Sequence, residues 1–572
     1  MSTAVISLFR RQLRRAGSYL KVLQQRRQRA TLATPFEDFQ PTLAPGGVVN
    51  GLASPKTYKE MPSSAGMPIL GTLPEFVASG GVQNQHNYIA KRHRELGSVF
   101  KESLAGHELV YVSDPSVVRD VFANEGQYPK HYIPEAWLLY NEDRQANRGL
   151  FFMEGEEWKT NRSILNRRLL RPDSIKPHFD NFGEVSDSLV QHWSASYAGG
   201  VVTNLEKELY RWGIESLGVM VFGNRLGFLN NKRSPPDASS EDNMEMEKFI
   251  SAIHGIFKET SAMGMFPPAL ARALKLPMWT RFAEAVDRAL SAGQEMVLKG
   301  LHDSKTRLEK GGAPNSLLDQ LLITEKLDEE NIVRLLTDLF LAAADTTSHT
   351  AIWSLYLLGR HPEVVSRVRQ EIHKAAGSSK VVKGEHLSSM PYLKGVVKES
   401  LRLYPVAPFL TRALDRDTVL GGYLVPGGTM VILSVYSTGR DPSYFPNPDA
   451  FAPQRWVRDA AADSSTGGPP SRQAISSSSP ASSASCPFAA AAKRGSNNAS
   501  GKLHSYAFIP FGIGARSCIG RRIAETQLHL MLAKLVQNFD IHAQNEVDMV
   551  MRMVGVTSQP LELEITPVSK CR

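Results

Sequence analysis

Apolar residues recur at helical spacing along most of this chain, and the longest such pattern runs from about Asp328 to Gly359. Acidic residues at its start suit the first turn of a helix, and Pro362 would stop it. At about 1.5 Å per residue, a helix of this length spans roughly 48 Å, which is the width of a domain. Its apolar face would consist of Ile332, Leu335, Leu336, Leu339 and Phe340.

Alternating apolar and polar residues indicate only short strands. Val99–Val112 predicts two strands with a turn near Gly106, and Thr418–Val435 predicts further strands between Gly and Pro turns. Helical patterns dominate elsewhere, including Lys394–Leu403 and a run that follows Cys518. The chain is therefore expected to be mainly α with small β-sheets, in the α+β class.

Residues 460–501 interrupt this pattern, because 12 of the 42 positions are serines and 11 are alanines. Only Ile475 and Phe488 are large and apolar there. Such a stretch buries too little surface to offset the entropy lost on ordering it. We therefore expect a disordered insertion and assign no role to Cys486, which lies inside it.

The formal net charge of +9 is concentrated near the N-terminus, because eight arginines and lysines precede Glu37, the first acidic residue. Without these eight residues the net charge is only +1. The high isoelectric point therefore gives little support to nucleic-acid binding, and we expect no nucleic-acid partner.

An Arg-rich leader without acidic residues predicts a mitochondrial transit peptide over residues 1–36, with a disordered basic tail as the alternative. Residues 37–60 would form a linker, and residues 61–572 a single domain. No stretch reaches the roughly 18 apolar residues that a membrane-spanning helix needs. Three cysteines in 572 residues exclude a disulfide scaffold and a Cys-rich zinc site.

The strongest chemical signal is Phe511–Gly520, which reads FGIGARSCIG. Its glycines allow a tight loop and a close approach of the backbone to a flat ligand. Arg516 brings positive charge near Cys518, and a helix terminus close to the sulfur favours a thiolate. An anionic sulfur on such a loop suits an axial ligand of iron. A buried, inert cysteine is the alternative, and the three glycines and the arginine argue against it.

Asp345 and Thr346 lie in the middle of the long helix, within a stretch of small residues. A buried carboxylate and hydroxyl are costly unless they are used or satisfied. The pair could therefore be functional. Equally, Thr346 could bond back to a backbone carbonyl while Asp345 sits in a buried ion pair.

The Phe511–Gly520 segment resembles the haem-binding loop of the cytochrome P-450 superfamily, and the resemblance extends over about residues 62–567 apart from the insertion. It implies that family's fold, a triangular helical domain that encloses haem b, with Cys518 as the axial ligand of the iron. It also implies that Thr346 positions water beside the iron and that Asp345 relays protons so that the O–O bond of O₂ breaks. Many members have Gly where Ala343 stands, which does not argue against activity.

Glu399 and Arg402 share one helical face and resemble the ExxR motif of this family. Arg455, in the segment FAPQRW, resembles the arginine that completes its ion-pair cluster. The family usually has Glu where Gln454 stands, which puts one side contact in question. The resemblance implies a structural role for Glu399, Arg402 and Arg455.

Trp158 and Arg162 match the WxxxR helix of the family and would contact a haem propionate. Each could instead be an ordinary core or surface residue. The complete set of haem-binding residues that the resemblance implies is Trp158, Arg162, Arg412, His504, Phe511, Arg516 and Cys518.

Lys394 and Lys398 lie one turn apart on the helix that carries Glu399. They resemble the docking site of mitochondrial members for a small acidic [2Fe–2S] ferredoxin similar to adrenodoxin; a solvated basic face is the alternative. Together with the leader and Arg521-Arg522, this docking site implies that electrons pass from NADPH through a flavoprotein reductase and the ferredoxin to the iron. The resemblance to mitochondrial members also implies peripheral association with the matrix side of the inner mitochondrial membrane.

The resemblance places the substrate pocket among Trp137–Met153, the centre of the long helix, Val406–Leu410 and Val556–Gln559. These segments are mainly apolar and suit a steroid or another rigid lipophilic substrate. Leu433–Asp441 looks closest to the arthropod ecdysteroid hydroxylases. The alternatives are a mitochondrial monooxygenase that detoxifies xenobiotics and a haem-binding protein without catalytic activity.

The apolar segment Met263–Trp279 falls at the family's connection between its F and G helices. We expect it to dip into the inner membrane and to admit the substrate. A connection that faces the core is the alternative.

Overall fold

The structure, a computed structural model, describes residues 54–104, 106–229, 239–264, 266–324, 327–377, 381–457 and 503–568. The predicted transit peptide and the predicted insertion lie outside the described residues, as do Cys486 and Cys571. For residues 239–245 only the backbone is described.

Helices make up most of the described chain. The first nine are α1 (Leu73–Ala78), α2 (Gln85–Leu96), α3 (Pro115–Ala123), α4 (Glu135–Arg144), α5 (Gly155–Leu169), α6 (Pro172–Ile175), α7 (Phe179–Ser196), α8 (Leu205–Phe222) and α9 (Ser239–Met263). They are followed by α10 (Pro268–Ala273), α11 (Pro277–Glu309), α12 (Leu317–Leu322), α13 (Glu329–Arg360), α14 (Pro362–Ala376), α15 (Pro391–Leu403), α16 (Val435–Thr438) and α17 (Arg521–Asn538). Short 3-10 helices occur at Tyr58–Glu60, Gly81–Asn84, Lys176–His178, Gly384–Ser389 and Pro453–Trp456.

The strands are short and form small sheets. They are β1 (Val99–Leu104), β2 (His107–Val112), β3 (Gly200–Val201), β4 (Phe409–Ala413), β5 (Thr418–Leu420), β6 (Tyr423–Val425), β7 (Met430–Ser434), β8 (Phe539–Ala543), β9 (Met549–Arg552), β10 (Val554–Thr557) and β11 (Leu563–Pro567). The fold class predicted from the sequence, mainly α with small β-sheets, is confirmed.

The largest sheet has the strand order β1-β2-β7-β4. β1 and β2 form the predicted hairpin, in which Val99 faces Val112, and Gly106 takes the left-handed φ of +82° in its turn. β7 pairs in parallel with β2 and antiparallel with β4. The sheet therefore joins the N-terminal hairpin to the segment that follows α15, and it places Arg412 on β4.

α13 is the long helix that the sequence predicts, within one residue at each end. The carboxylate of Asp328 caps its first turn by accepting the Asn331 amide at 2.8 Å. Of the five predicted apolar residues only Leu339 is half-buried, and the other four lie in the core. The ring of Phe340 stacks on Phe222 of α8 at a centroid distance of 5.4 Å. α13 packs against α8, α11, α15 and α17, so it passes through the middle of the fold.

Met263–Trp279 packs toward the core, and the prediction that it dips into a membrane is not supported. Met263, Ala271 and Trp279 are buried with side chains of α4 and α11. Leu270 is the large apolar residue that this stretch exposes among its described positions. The core-facing alternative therefore describes the segment, because these side chains fill a cluster that would otherwise be open. Within the described residues no helix is long and apolar enough to cross a bilayer.

Candidate active site

The loop that carries Cys518 is closed by its own backbone. The Cys518 amide donates to the Phe511 carbonyl at 2.8 Å, and the Ser517 amide donates to Gly514 at 3.2 Å. Gly512 and Gly514 have φ of +67° and +79°, where residues with a Cβ are strained. A Cβ on Gly514 would also collide with the Glu125 carboxylate. Two of the glycines in the motif are therefore required by the turn itself.

Cys518 lies two residues before Gly520, the N-cap of α17, as the sequence predicts. Burial raises the pKa of its thiol, although the Gly520 amide, Arg162 and Arg521 act in the opposite direction. The groups predicted to stabilise a thiolate are therefore present, but the cost of burying the charged sulfur outweighs their effect on the pKa of the free cysteine. A bound metal ion reverses this balance because it deprotonates a coordinating thiol.

The Cys518 side chain is nevertheless exposed, and within the described residues it forms no disulfide. A sulfur that is surrounded by protein atoms and still accessible faces an internal space rather than close-packed neighbours. Its accessible side is where a ligand of the sulfur would lie.

The middle of α13 also has one open face. Ala342 and Thr346, one turn apart, are exposed, whereas Ala344, Asp345 and Thr347 are buried. The Thr346 hydroxyl donates to the Ala342 carbonyl at 3.1 Å, as the structural alternative expected. A hydroxyl that donates in this way keeps its lone pairs, so Thr346 can still accept a hydrogen bond from water.

Asp345 points to a neighbouring, buried side of α13. Its Oδ1 accepts a hydrogen bond from the Tyr210 hydroxyl and lies 3.5 Å from His349 Nε2. The buried pairing of the structural alternative is therefore present as well. The acid and the alcohol are adjacent in sequence, but they serve two different faces of the helix.

Arg162 joins α5 to the Cys518 loop. Its Nη2 donates to the Ser517 carbonyl at 2.5 Å, and its Nε is buried with no hydrogen-bond partner among the described residues. Burial lowers the pKa of Arg162 to about 10, against the opposing effect of Cys518. Trp158, one turn earlier, is buried, and the Arg516 guanidinium lies 4.1 Å from the centre of its ring. The structure thus brings Trp158, Arg162, Arg516 and Cys518 together.

Arg516 fixes the segment before α5 against the loop. It donates to the carbonyls of Pro129, Leu150 and Met153 at 3.0, 3.3 and 2.8 Å. Burial lowers its pKa to about 10, even though Glu154 acts in the opposite direction. With its nitrogens bound to carbonyls, Arg516 organises the backbone around the loop.

Arg412 is buried and has a protein partner of its own. Its Nε lies 2.6 Å from the Glu125 carboxylate, whose other oxygen accepts the Ala515 amide at 3.2 Å. The guanidinium also lies over the ring of Phe122. Glu125 is a site residue that sequence reasoning missed, and it couples Arg412 to the Cys518 loop.

His504 and His131 occupy different surroundings. The His504 ring accepts the Tyr506 amide at 3.2 Å, and the charged groups that act on its pKa are Arg119 and Asp114 beside α3. His131, which sequence reasoning also missed, is held at a pKa of about 4 by burial and by Arg516 and Arg412. The Nε2 of His131 is buried with no hydrogen-bond partner among the described residues. His131 therefore lies near Arg412 and Arg516, which adjoin the Cys518 loop. The charged neighbours of His504 are Arg119 and Asp114 instead.

These residues fit a haem. Buried polar atoms without partners, such as Arg162 Nε and His131 Nε2, are costly in a folded protein. The propionates of a haem would satisfy such groups, because a carboxylate accepts strong hydrogen bonds from a guanidinium and can also accept one from the N–H of a neutral imidazole. A sulfur open on one side and an open helix face of small residues match the two faces of a flat ligand. In the described part of the chain, no cluster of three or more His, Cys, Asp or Glu side chains could hold a metal ion instead.

A second cluster is centred on a fully buried ion pair. Glu399 and Arg402 have no exposed side-chain surface and form two bonds, of 2.7 and 3.0 Å. Arg455 Nε and Trp456 Nε1 donate to the same carboxylate at 3.0 and 2.7 Å. The remaining donors of Arg402 reach the carbonyls of Gly439, Pro448 and Ala450. Gln454 is exposed, so its replacement of the usual Glu leaves this cluster intact.

A groove of about 1020 Å³ runs between α15, the start of α17 and the Cys518 loop. Phe511, Gly512 and Ile513 line it beside Lys394 and Lys398. Basic side chains outnumber acidic ones along its walls, and burial, with Lys398 adding, lowers the pKa of Lys394. The basic lining residues are Lys176, Lys383, Lys394, Lys398, Arg521 and Arg522, and the acidic ones are Asp180, Glu385 and Glu525.

Replacing Glu399 should destabilise the protein. Glu399→Ala leaves two guanidinium groups without their carboxylate in the core, and breaking a buried pair costs about 3–5 kcal/mol. The urea midpoint of unfolding, followed by tryptophan fluorescence, should fall accordingly. Gln454→Glu is the matched control, because an exposed change alters stability by only about 0.5 kcal/mol. Equal midpoints for Glu399→Ala and the wild type would contradict the structural role of this cluster.

Comparisons with known proteins agree with this geometry. A family model described as Cytochrome P450 matches residues 61–567. The chain is 34% identical over 552 residues to the mitochondrial cytochrome P450 315a1 of Drosophila melanogaster, covering 93% of this chain and 92% of that protein.

Two further relatives are vertebrate proteins. Identity is 31% to cytochrome P450 27C1 of Danio rerio, covering 87% of this chain and 84% of that protein. It is 29% to the mitochondrial cholesterol side-chain cleavage enzyme of Oncorhynchus mykiss, covering 87% of this chain and 88% of that protein. The chain therefore belongs to the cytochrome P450 family of haem-thiolate monooxygenases, and it is of the mitochondrial type.

Proposed function

We propose that this protein hydroxylates a steroid in mitochondria, inserting one oxygen atom of O₂ into the substrate with electrons delivered by a ferredoxin. The observation that carries this proposal is the Cys518 sulfur, held on a closed loop and open on one side. Haem bound through this sulfur supplies the iron at which O₂ is activated. A haem-binding protein without catalytic activity would have no use for the open face of Thr346 or for the basic groove.

The residues around the loop hold the cofactor in this proposal. Arg162 and His131 offer buried polar atoms without partners to the propionates, and Trp158 packs beneath Arg516. Arg412 reaches the site through Glu125, so its first task is to position the loop. Phe511 contributes the carbonyl that closes the loop. His504 would contact the haem only at the edge of the site.

The oxygen-activating step would use both faces of α13. Thr346 holds a water at the open face through its free lone pairs, and Asp345 supplies protons from the buried side. Positioned acids and hydroxyls of this kind contribute typically 10²–10⁴-fold to a rate.

A lipophilic substrate is supported by the segments predicted to line the pocket. Trp137 stacks on Phe152 at 5.5 Å and approaches Phe257 of α9, which gives an aromatic wall. The Gly555 amide donates to the Val406 carbonyl at 2.9 Å, so the residue just before Val556–Gln559 is bonded to the predicted segment Val406–Leu410. The relatives include proteins named for cholesterol and for 25-hydroxyvitamin D, which are lipophilic molecules. An ecdysteroid precursor is our specific proposal, based on the resemblance of Leu433–Asp441.

Ferredoxin docking is supported by the basic groove. Lys394 and Lys398 lie in the same groove as Phe511–Ile513 of the Cys518 loop, so an acidic partner there would approach the iron from the sulfur side. Complementary charge accelerates association and orients the partner.

A mitochondrial location with peripheral membrane association completes the proposal. The basic leader and the mitochondrial relatives support the location. Exposed apolar side chains near the N-terminal end of the described chain support membrane contact, with Ile69 90% exposed. The residue that follows α9 lies close to the N-terminal end of the described chain, because a Cβ added to Gly264 would lie 3.0 Å from Val82. The exposed apolar patch consists of Met67, Ile69, Leu70 and Val77.

Thr346→Ala should uncouple NADPH consumption from product formation. The haem-loaded protein is reconstituted with ferredoxin, reductase and NADPH, offered ecdysteroid precursors and other steroids, and its products are identified by mass spectrometry. We expect product per NADPH to fall about tenfold or more in Thr346→Ala, and Thr346→Ser to retain most coupling. Unchanged coupling in Thr346→Ala would contradict its role. No product with any substrate from fully loaded wild type would support the haem-binding alternative.

Removing the two lysines should weaken ferredoxin binding and leave the chemistry intact. In Lys394→Gln/Lys398→Gln we expect the KM for ferredoxin to rise about tenfold, with kcat at saturating ferredoxin unchanged. The difference from wild type should shrink at high salt, because ions screen the attraction. Lys299→Gln/Lys310→Gln is the control, because Lys299 is exposed on α11 and Lys310 is exposed directly after it. Equal KM values in the two double variants would refute docking at the groove.

Membrane association should depend on the exposed N-terminal patch. In a flotation assay with vesicles of inner-membrane composition, wild type should float and Ile69→Glu should largely remain at the bottom. Leu298→Glu, an exposed apolar position on α11, should float like wild type. Wild type that stays at the bottom, or Ile69→Glu that floats equally well, would rule out this contact.

A further inference from the structure

A series of titratable side chains leads from Asp345 away from the open face of α13. His349, one turn further along the helix, has its Nε2 3.5 Å from Asp345 Oδ1 and 3.5 Å from Oε1 of Glu206, at the start of α8. His254 of α9 has its Nε2 3.2 Å from the same Glu206 oxygen. Three helices therefore contribute to one series of titratable groups whose nearest atoms are 3.2–3.5 Å apart.

Exposure increases along this path. The side chains of Asp345 and His349 are only 4% exposed, whereas those of Glu206 and His254 are 42% and 41% exposed. The inner pair is sealed from water, and the outer pair can exchange protons with it. Protons could therefore enter from solvent at Glu206 and His254 and reach Asp345 inside the protein.

The charges around His349 favour its protonated form. Burial acts against a charged imidazole, and so does Arg552 of β9, but Asp345 and Glu206 outweigh them and raise the pKa of His349. Burial also disfavours the Glu206 carboxylate, yet His254 and His349 lower its pKa overall. His349 therefore lies between two carboxylates that favour its protonated form.

Tyr210 of α8 completes the surroundings of Asp345. Burial and Asp345 raise the pKa of Tyr210 well above its ordinary value, so it remains a hydrogen-bond donor. Its ring stands edge-on to both His254 and His349, at centroid distances of 5.0 and 6.1 Å. Tyr210 thus holds Asp345 Oδ1 in position. The second oxygen, Oδ2, is buried and has no hydrogen-bond partner among the described residues.

We propose that His349 delivers protons to Asp345 and is recharged through Glu206 and His254. This inference rests on the proposed monooxygenase function, and it names the residues that supply that reaction with protons from the side of α8 and α9. Each turnover consumes two protons and two electrons, and the oxygen atom that does not enter the substrate leaves as water. In each transfer the N–H bond at His349 Nε2 breaks and an O–H bond forms on Asp345, without movement of an electron.

The geometry suits repeated transfer. The same nitrogen, Nε2, faces both carboxylates, so the imidazole can give a proton to Asp345 and regain one from Glu206 without turning its ring. His254 or water then restores the proton on Glu206. A purely structural link between α8 and α13 would need the Tyr210 hydrogen bond but not a titrating imidazole.

The first test measures the pKa of His349 without any turnover. Hydrogen exchange at the C2 position of each histidine, followed by mass spectrometry in the haem-loaded protein, gives a titration for His349. We expect a pKa above the ordinary value of about 6.5, and a fall of about one pKa unit in Glu206→Gln. His302, exposed on α11, is the control, and Glu206→Gln should leave its exchange unchanged. A His349 pKa that Glu206→Gln leaves unchanged would overturn the proposal.

The second test measures proton supply during turnover. His349→Asn should lower kcat and product per NADPH about tenfold, enlarge the D₂O solvent isotope effect on kcat, and leave haem content and substrate binding unchanged. Glu206→Gln, at an accessible position, provides a second variant if His349→Asn folds poorly, and it should show a smaller loss. His302→Asn is the matched control and should equal wild type.

The outcomes separate this proposal from the proposed function. Wild type without turnover on any substrate would remove the monooxygenase function, and the relay with it. Wild type that turns over, with His349→Asn and Glu206→Gln equally fast, equally coupled and equal in solvent isotope effect, would remove the relay alone.

Discussion

The thiol of Cys518 must be held deep inside the fold and still remain open on one side, and much of the surrounding structure follows from this constraint. The left-handed glycines bend the loop, and Glu125 occupies the space that a side chain at Gly514 would need. Arg516 ties the loop to carbonyls of the segment before α5. Charged groups are thereby buried with partners, which is the condition under which they can be tolerated in a core.

α13 shows how one helix can serve two purposes. Its ends are fixed by ordinary capping and by apolar packing, and Phe340 stacks against α8. At its centre the small residues leave one face open, while a neighbouring face carries a buried acid. Because neighbouring residues on a helix point about 100° apart, Asp345 and Thr346 can connect the interior of the protein with the space beside Cys518.

Sequence motifs predicted those parts of the structure whose conformation is set by residues close together in the chain. The Cys518 loop, the Glu399–Arg402 pair and the limits of α13 follow from glycines, spacing and caps within a few residues. Sequence reasoning missed Glu125 and His131, because their partners lie hundreds of residues away and leave no local pattern. It also overlooked the link from His349 to Glu206 for the same reason. For Met263–Trp279, apolarity alone does not distinguish a buried connection from a membrane contact.

The most direct test of this account is the absorption spectrum of the reduced, haem-loaded protein under carbon monoxide. Wild type should show the long-wavelength Soret maximum of a thiolate-ligated haem. Cys518→Ser should lose this maximum, and Cys486→Ser should keep it as the matched control. A wild-type spectrum without the thiolate band, or an unaltered band in Cys518→Ser, would contradict the assignment of Cys518 as the iron ligand.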